Sequence, residues 1–252
     1  MDRLRFATFY ALRHGLLSFA IAGISASFVF GLLYPPPYQT ILNVGSIFWL
    51  LLVTDVVCGP LLTLLLASPK KSKRERWVDF FLVGAIQLTA LLYGMHSVWV
   101  ARPVVLAFEV NRLVVVTANE VQTHALNQAP AGLQNLPWWG TLQVSTRPPQ
   151  GSDEALESID LSINGISPAM RPNWWLPWGQ ANEGMRQHSQ PIANLLQFRP
   201  QDEATLHAAI IATGLPQAQL RYVPLISSKS TAWIALLDKN LNVVGYAPVD
   251  GF

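Results

Sequence analysis

Charge is scarce in this chain of 252 residues: Asp, Glu, Lys and Arg together make up 13%, against about 25% in an ordinary soluble domain. Cysteine is scarcer still. A lone thiol, Cys58, excludes an intramolecular disulfide and leaves the redox compartment unread. No Cys/His spacing suits zinc, and no Gly-x-Ser-x-Gly elbow presents a hydrolytic serine. The five histidines are scattered without a ligand pattern. No basic face suits nucleic acid. The reading is therefore of a non-enzymatic protein with no metal and no cofactor.

Apolar residues are what the chain has in excess, at 51%, and they concentrate before residue 101. Three runs, at about 14–34, 41–67 and 77–100, each reach roughly the 20 residues needed to cross a bilayer core. The first could be a cleaved leader with Ser25-Ala26-Ser27 as its cleavage site, but its apolar stretch is too long for one. Residues 1–100 are thus expected to form a three-helix transmembrane bundle, and residues 101–252 a separate folded domain.

Orientation follows from Lys and Arg placement. Pro69-Lys70-Lys71-Ser72-Lys73-Arg74-Glu75-Arg76 carries five positive charges, and Arg3, Arg5 and Arg13 precede the first run. Pro35-Pro36-Pro37-Tyr38-Gln39-Thr40 carries none. The N-terminus and the basic loop are expected in the cytoplasm, and residues from 101 onward in the periplasm of a bacterium. This makes the protein a multi-pass component of the inner membrane, with the lipid bilayer as one partner.

Lipid gives apolar helices no hydrophobic reason to associate, so close packing and polar contacts must hold them. Gly23, Ser27 and Gly31 recur at four-residue steps and form a ridge where another helix can approach. Contact with the second and third spans is the favoured reading of that ridge, and docking of a foreign helix the sharper one. Asp55, Gly59 and Pro60 interrupt the second span, and Gln87 lies in the third. Asp55 sits about 16 Å above Leu66, and Gln87 about 15 Å above Trp77, at 1.5 Å per residue. The two are at similar depth. The Asp55 side chain is expected to bond to Gln87 beside the helix turn that Pro60 opens. An intramembrane acid is a functional candidate, but a protease of the aspartic kind needs two cooperating carboxylates, and no second acid lies in a span core.

The second half reads as α+β. Apolar, β-branched stretches at 104–110, 113–118 and 141–146 are expected strands, as are 220–226, 231–237 and 243–249. A helix is expected from Ser152 to near Gly165, and another over 202–213 closed by Gly214. The expected architecture is an antiparallel sheet with a few helices. Trp138 and Trp139, with Trp174, Trp175 and Trp178, lie in Pro-rich loops. Core packing is their plain reading, and an exposed binding surface the other.

Asp55-Val56-Val57-Cys58-Gly59-Pro60-Leu61-Leu62-Thr63, Pro69-Lys70-Lys71, Gln87-Leu88-Thr89-Ala90-Leu91-Leu92-Tyr93-Gly94 and Arg102-Pro103 together resemble the TfpX/TfpZ family of type IV pilin accessory proteins. Leu136-Pro137-Trp138-Trp139-Gly140, Arg221-Tyr222-Val223-Pro224-Leu225, Trp233-Ile234-Ala235-Leu236-Leu237-Asp238 and Val249-Asp250-Gly251-Phe252 extend the resemblance over nearly the whole chain. Cys58 departs from it, where an apolar residue is expected. The resemblance implies an inner-membrane protein that helps its cognate major pilin to be stabilised or assembled into a pilus, and it supplies no mapped binding site. The alternative is a membrane-anchored periplasmic scaffold or sensor of the pilus machinery.

Overall fold

The computed structural model describes residues 2–252, except for the side chains of residues 47 and 51. The chain divides into two compact units. One comprises Met1–Gln39 with Asn43–Val100, and the other Thr40–Leu42 with Ala101–Phe252.

The first unit is helical. α1 (Arg3–Phe28) runs into a π-helical turn, Val29–Leu33. After the short α2 (Tyr38–Ile41), whose residues Thr40 and Ile41 belong to the second unit, come α3 (Val44–Leu66) and α4 (Lys73–Val100). All three long helices have the length and composition to cross a membrane. The 23 residues of α3 rise about 35 Å at 1.5 Å each. α1 starts well before the apolar run at residue 14, because Arg3, Arg5 and Arg13 are good helix formers. At the start of α4, Ser72 Oγ accepts the Glu75 N–H at 3.2 Å while Glu75 Oε2 accepts the Ser72 N–H at 2.7 Å. This reciprocal cap satisfies two otherwise orphaned donors.

The burial pattern of this unit is inverted relative to a soluble bundle. The buried residues of α1 are Ala7, Ala11, Ser18, Ala22 and Ser25, whereas Leu4, Leu12, Leu16, Phe19 and Ile24 are exposed. Small residues let α1 and α3 approach closely, which is how helices pack when the surrounding solvent is itself apolar. α3 packs on both α1 and α4. Tyr10 of α1 stacks on Phe80 of α4 with ring centroids 5.4 Å apart.

The second unit is built on an eight-stranded sheet: β1 (Pro103–Glu109), β2 (Arg112–Thr117), β3 (Leu142–Thr146), β4 (Trp175–Pro177), β5 (Gln190–Pro191), β6 (Arg221–Ser227), β7 (Trp233–Leu237) and β8 (Val243–Ala247). The order is β4-β3-β1-β2-β6-β7-β8, with β5 on β6. The expectation of an antiparallel sheet is corrected to a mixed one: β1 pairs with β3, and β2 with β6, in parallel. Long connections permit those crossovers. The signal was in the strands themselves, since β1 and β7 are buried along their whole length. Continuous apolar strands mark a sheet covered on both faces.

α5 (Ser152–Ile163), α6 (Asn182–His188), α7 (Ile192–Phe198) and α8 (Glu203–Thr213) complete this unit. Gly214 closes α8 at φ +68°, the left-handed conformation glycine adopts without strain. One core gathers Val105, Ala107, Val116, Val144 and Trp175. A second gathers Ile192, Leu206, Ile210, Tyr222, Ile234 and Leu236. Thr40–Leu42 belongs to this unit, and Ser227 Oγ donates to the Ile41 carbonyl at 3.1 Å in a buried bond.

Candidate functional site

The polar spot predicted within the helical unit assembles, with one change of partner. Gln87 Nε2 donates to the backbone carbonyl of Asp55 at 2.7 Å. The expected bond to the Asp55 side chain is therefore corrected: the main-chain oxygen accepts instead. Gly59, one helical turn beyond Asp55, makes this geometry possible, because a Cβ there would collide with the Gln87 carboxamide. A carbonyl has two lone pairs, so it can take a donor from a neighbouring helix. Pro60 lies inside α3 and faces Gly15 of α1, where a Cβ would sit 3.4 Å from the proline ring.

A cavity of about 110 Å³ adjoins this spot, walled by leucines and by His14, Ser18, Asp55 and Gln87. That is room for a few water molecules. Asp55 supplies the only carboxylate among its lining residues. Among the described residues no group of three or more His, Cys, Asp or Glu could hold a metal ion. His14 escaped the sequence reading. Its Nδ1 lies 2.6 Å from Thr63 Oγ1, tying α1 to α3. The available signal was a polar ring near the start of an apolar span, which must find a partner there.

The Gly23, Ser27 and Gly31 ridge has a different fate. All three residues are exposed, and a Cβ at Gly23 or Gly31 would meet nothing within 4 Å. Ser27 Oγ donates to its own helix, to the Gly23 carbonyl at 2.9 Å. The favoured reading of contact with the other two spans is thus corrected. α1 meets α3 through the neighbouring row containing Ser18, Ala22 and Ser25, which is as small and more polar. The ridge is left open.

In the sheet unit the tryptophans divide. Trp174 and Trp175 are 3% and 1% exposed, whereas Trp138 and Trp139 are 69% and 58% exposed. Trp178 is half-buried. Trp175 Nε1 donates to the Ala169 carbonyl at 2.8 Å inside the core. Trp174 lies beneath two guanidinium groups, Arg171 at 3.9 Å and Arg147 at 4.5 Å from the ring centre, a cation–π arrangement. Grouping all five tryptophans as one interface is corrected to the Trp138-Trp139 pair alone as an exposed aromatic surface. Its loop is held from behind by Arg102, whose Nη2 donates to the Pro137 carbonyl at 3.1 Å.

Arg147 also grips Glu154 through two bonds, of 2.6 and 2.8 Å. With the Gln150 N–H also bonded to it, the Glu154 carboxyl is held down to about 2. Arg147 is correspondingly raised by the same pairing. Burial pulls the Arg171 guanidinium below its usual value. These ion pairs, and the buried Glu109 that accepts the Ala169 N–H at 2.9 Å and pairs with Arg112, were not legible in sequence. The Glu109–Ala169 bond joins residues 60 apart, whereas Arg147–Glu154 and Glu109–Arg112 are seven and three residues apart and depend on how the backbone between them folds.

Comparison with known proteins places these features. Residues 2–43, which include all of α1 and its open ridge, match the family model "Fimbrial assembly protein FimB". The chain is 32% identical over 252 residues to the "Fimbrial assembly protein, serogroup I" of Dichelobacter nodosus, covering 100% of this chain and 98% of that protein. It is 31% identical, with the same coverage, to the serogroup E1 protein of that organism. A third relative, for serogroups C1 and C2, is 39% identical over 128 residues, 51% of this chain and 98% of its own length. No solved structure matches the chain. Since it is similar to two relatives from end to end, the chain belongs to the fimbrial assembly protein FimB family.

Proposed function

We propose that this protein acts in type IV fimbrial assembly as an inner-membrane accessory protein of the TfpX/TfpZ kind, a non-enzymatic chaperone that binds and stabilises its cognate major pilin. The pilin before assembly offers a membrane helix and a periplasmic head, and this chain has a candidate surface for each. The Gly23, Ser27 and Gly31 ridge receives the pilin helix, and the Trp138-Trp139 loop touches the head. Retention comes from the membrane contact, and specificity from the head.

The observation that carries the reading is the open ridge. Three small residues line an exposed face of α1 that no described side chain of the bundle covers, within the segment matched by the fimbrial assembly family. In lipid, such a face is where a second helix packs. The topology, with the N-terminus cytoplasmic and residues 101–252 periplasmic, is supported by the basic residues at 70–76. It is also supported by Thr40–Leu42, which folds with the sheet unit and so belongs on the same side of the bilayer.

Co-purification of the full chain with its cognate pilin tests the membrane half. Gly23→Leu with Ser27→Leu should lower pilin recovery by about tenfold by blocking close helix approach. Undiminished recovery would remove the ridge from the account. A reporter fused after Phe252 that is active only in the cytosol would overturn the topology.

A further inference from the structure

α5 is mounted with its polar side inward. Glu154 and Ser158 face the domain, where Glu154 is gripped by Arg147 and Ser158 Oγ accepts from Arg171 at 2.6 Å. The two arginines are in turn stacked on the buried Trp174 ring. The opposite side carries Leu156, Ile159 and Ile163, which are 67%, 58% and 79% exposed. At 100° per residue these three fall on one narrow stripe. Asp153, Asp160 and Glu157, all exposed, fall along one edge of it. No residue of α5 is buried. A surface helix normally turns such a stripe toward the core, and here four side chains hold it the other way round.

We infer that the outer face of α5 is a second docking surface for the head of the cognate pilin, through a patch that is apolar at its centre and edged with Lys or Arg. The choice of a pilin rests on the proposed function, but the chemistry of the patch rests on the stripe and its acidic edge. That edge selects against the other occupants. Helices that lie on anionic membranes carry Lys and Arg beside the apolar face, whereas this edge is repelled by lipid phosphate. A second copy packed antiparallel on the stripe about a two-fold axis would set the acidic edge against itself, where like charges oppose association. A basic-edged protein surface is the occupant that satisfies both parts.

A photo-crosslinking amino acid placed at Ile159 of the full-length chain, in cells producing the tagged cognate pilin, tests this. The expected result is an adduct with pilin. Glu157→Lys with Asp160→Lys should reduce it by about fivefold or more while leaving the stripe intact. An adduct with lipid, with a second copy of this chain, or with nothing overturns the inference, as does an adduct indifferent to the charge reversal. The same crosslinker at Ser27 separates the two readings. Pilin captured from position 27 but not from 159 sinks this surface and leaves the proposed function standing. Pilin captured from neither position sinks both.

Discussion

Gln87 of α4 reaches the main-chain carbonyl of Asp55 on α3 at 2.7 Å, leaving the aspartate side chain at the wall of a small cavity. The bond passes over Gly59, whose missing side chain is the space that the carboxamide fills.

Gly59→Ala is therefore expected to destabilise the helical unit by about 1–3 kcal/mol through overpacking. Gln87→Ala alone should lose about 1 kcal/mol, the usual worth of a polar contact between membrane helices. In the double variant the alanine at 59 has room, so the two losses should not add. Unfolding of the detergent-solubilised protein measures all three. Additive losses would mean that the close approach is not the source of the effect.

Asp55→Leu should leave the helical unit at least as stable as before. The side chain makes no hydrogen bond to any described residue, and an acid at mid-membrane is expensive to hold. If pilin recovery falls while membrane level and unfolding temperature do not, the carboxyl serves the client rather than the bundle. A drop in folded protein for the leucine variant would restore the role of helix-to-helix glue.

The Arg147–Glu154 clamp predicts a pH dependence in the sheet unit. The Glu154 carboxyl lies at about 2, below the 4.5 of an unperturbed glutamate. A lowered folded-state value means that the stabilisation is complete above the unfolded value and is lost as pH falls through the folded one. Loosening of α5 should therefore develop between about pH 4.5 and 2. Hydrogen exchange of the α5 amides reads it out. Glu154→Gln should flatten that dependence and loosen the helix already at neutral pH.

The β1–β2 hairpin turns on Val110 and Asn111, with Glu109 opposite Arg112. Val110 has φ +58°, which a β-branched residue adopts at a cost of about 1–2 kcal/mol. Val110→Gly should stabilise the sheet unit by about 1 kcal/mol, seen as a higher unfolding midpoint. The residue is exposed, so no packing is forfeited. A destabilised variant would show that the valine makes contacts outweighing its backbone strain.

The division among the tryptophans is testable by contrast. Trp174→Ala should cost about 3–5 kcal/mol, as for other buried large-to-small changes, and should release α5 because both arginines lose their platform. Trp138→Ala with Trp139→Ala should change stability by less than about 1 kcal/mol, while lowering pilin recovery. Equal unfolding losses for the two sets would contradict the burial pattern.

Length and apolarity alone announce the three long helices, because a run of some 20 apolar residues has few places to go except lipid. The positions of most strands and of α5 and α8 were also legible, since β-branched runs, capping residues and Gly214 act locally. What the sequence could not determine is which face of each element is covered. Gly23, Ser27 and Gly31 read as an interior row, yet the interior row is Ala11, Ser18, Ala22 and Ser25, because two small-residue rows on one helix satisfy the same packing rule. Trp174 and Trp138 sit in similar Pro-rich surroundings, yet Trp174 is buried beneath Arg171 and Arg147 while Trp138 is exposed. The mixed order of the sheet depends on partners tens of residues away, and the polar-inward mounting of α5 on arginines that flank it on either side. Local propensity determines that an element exists; tertiary pairing, through contacts such as Gln87 with Asp55 and Glu109 with Ala169, decides which way it faces.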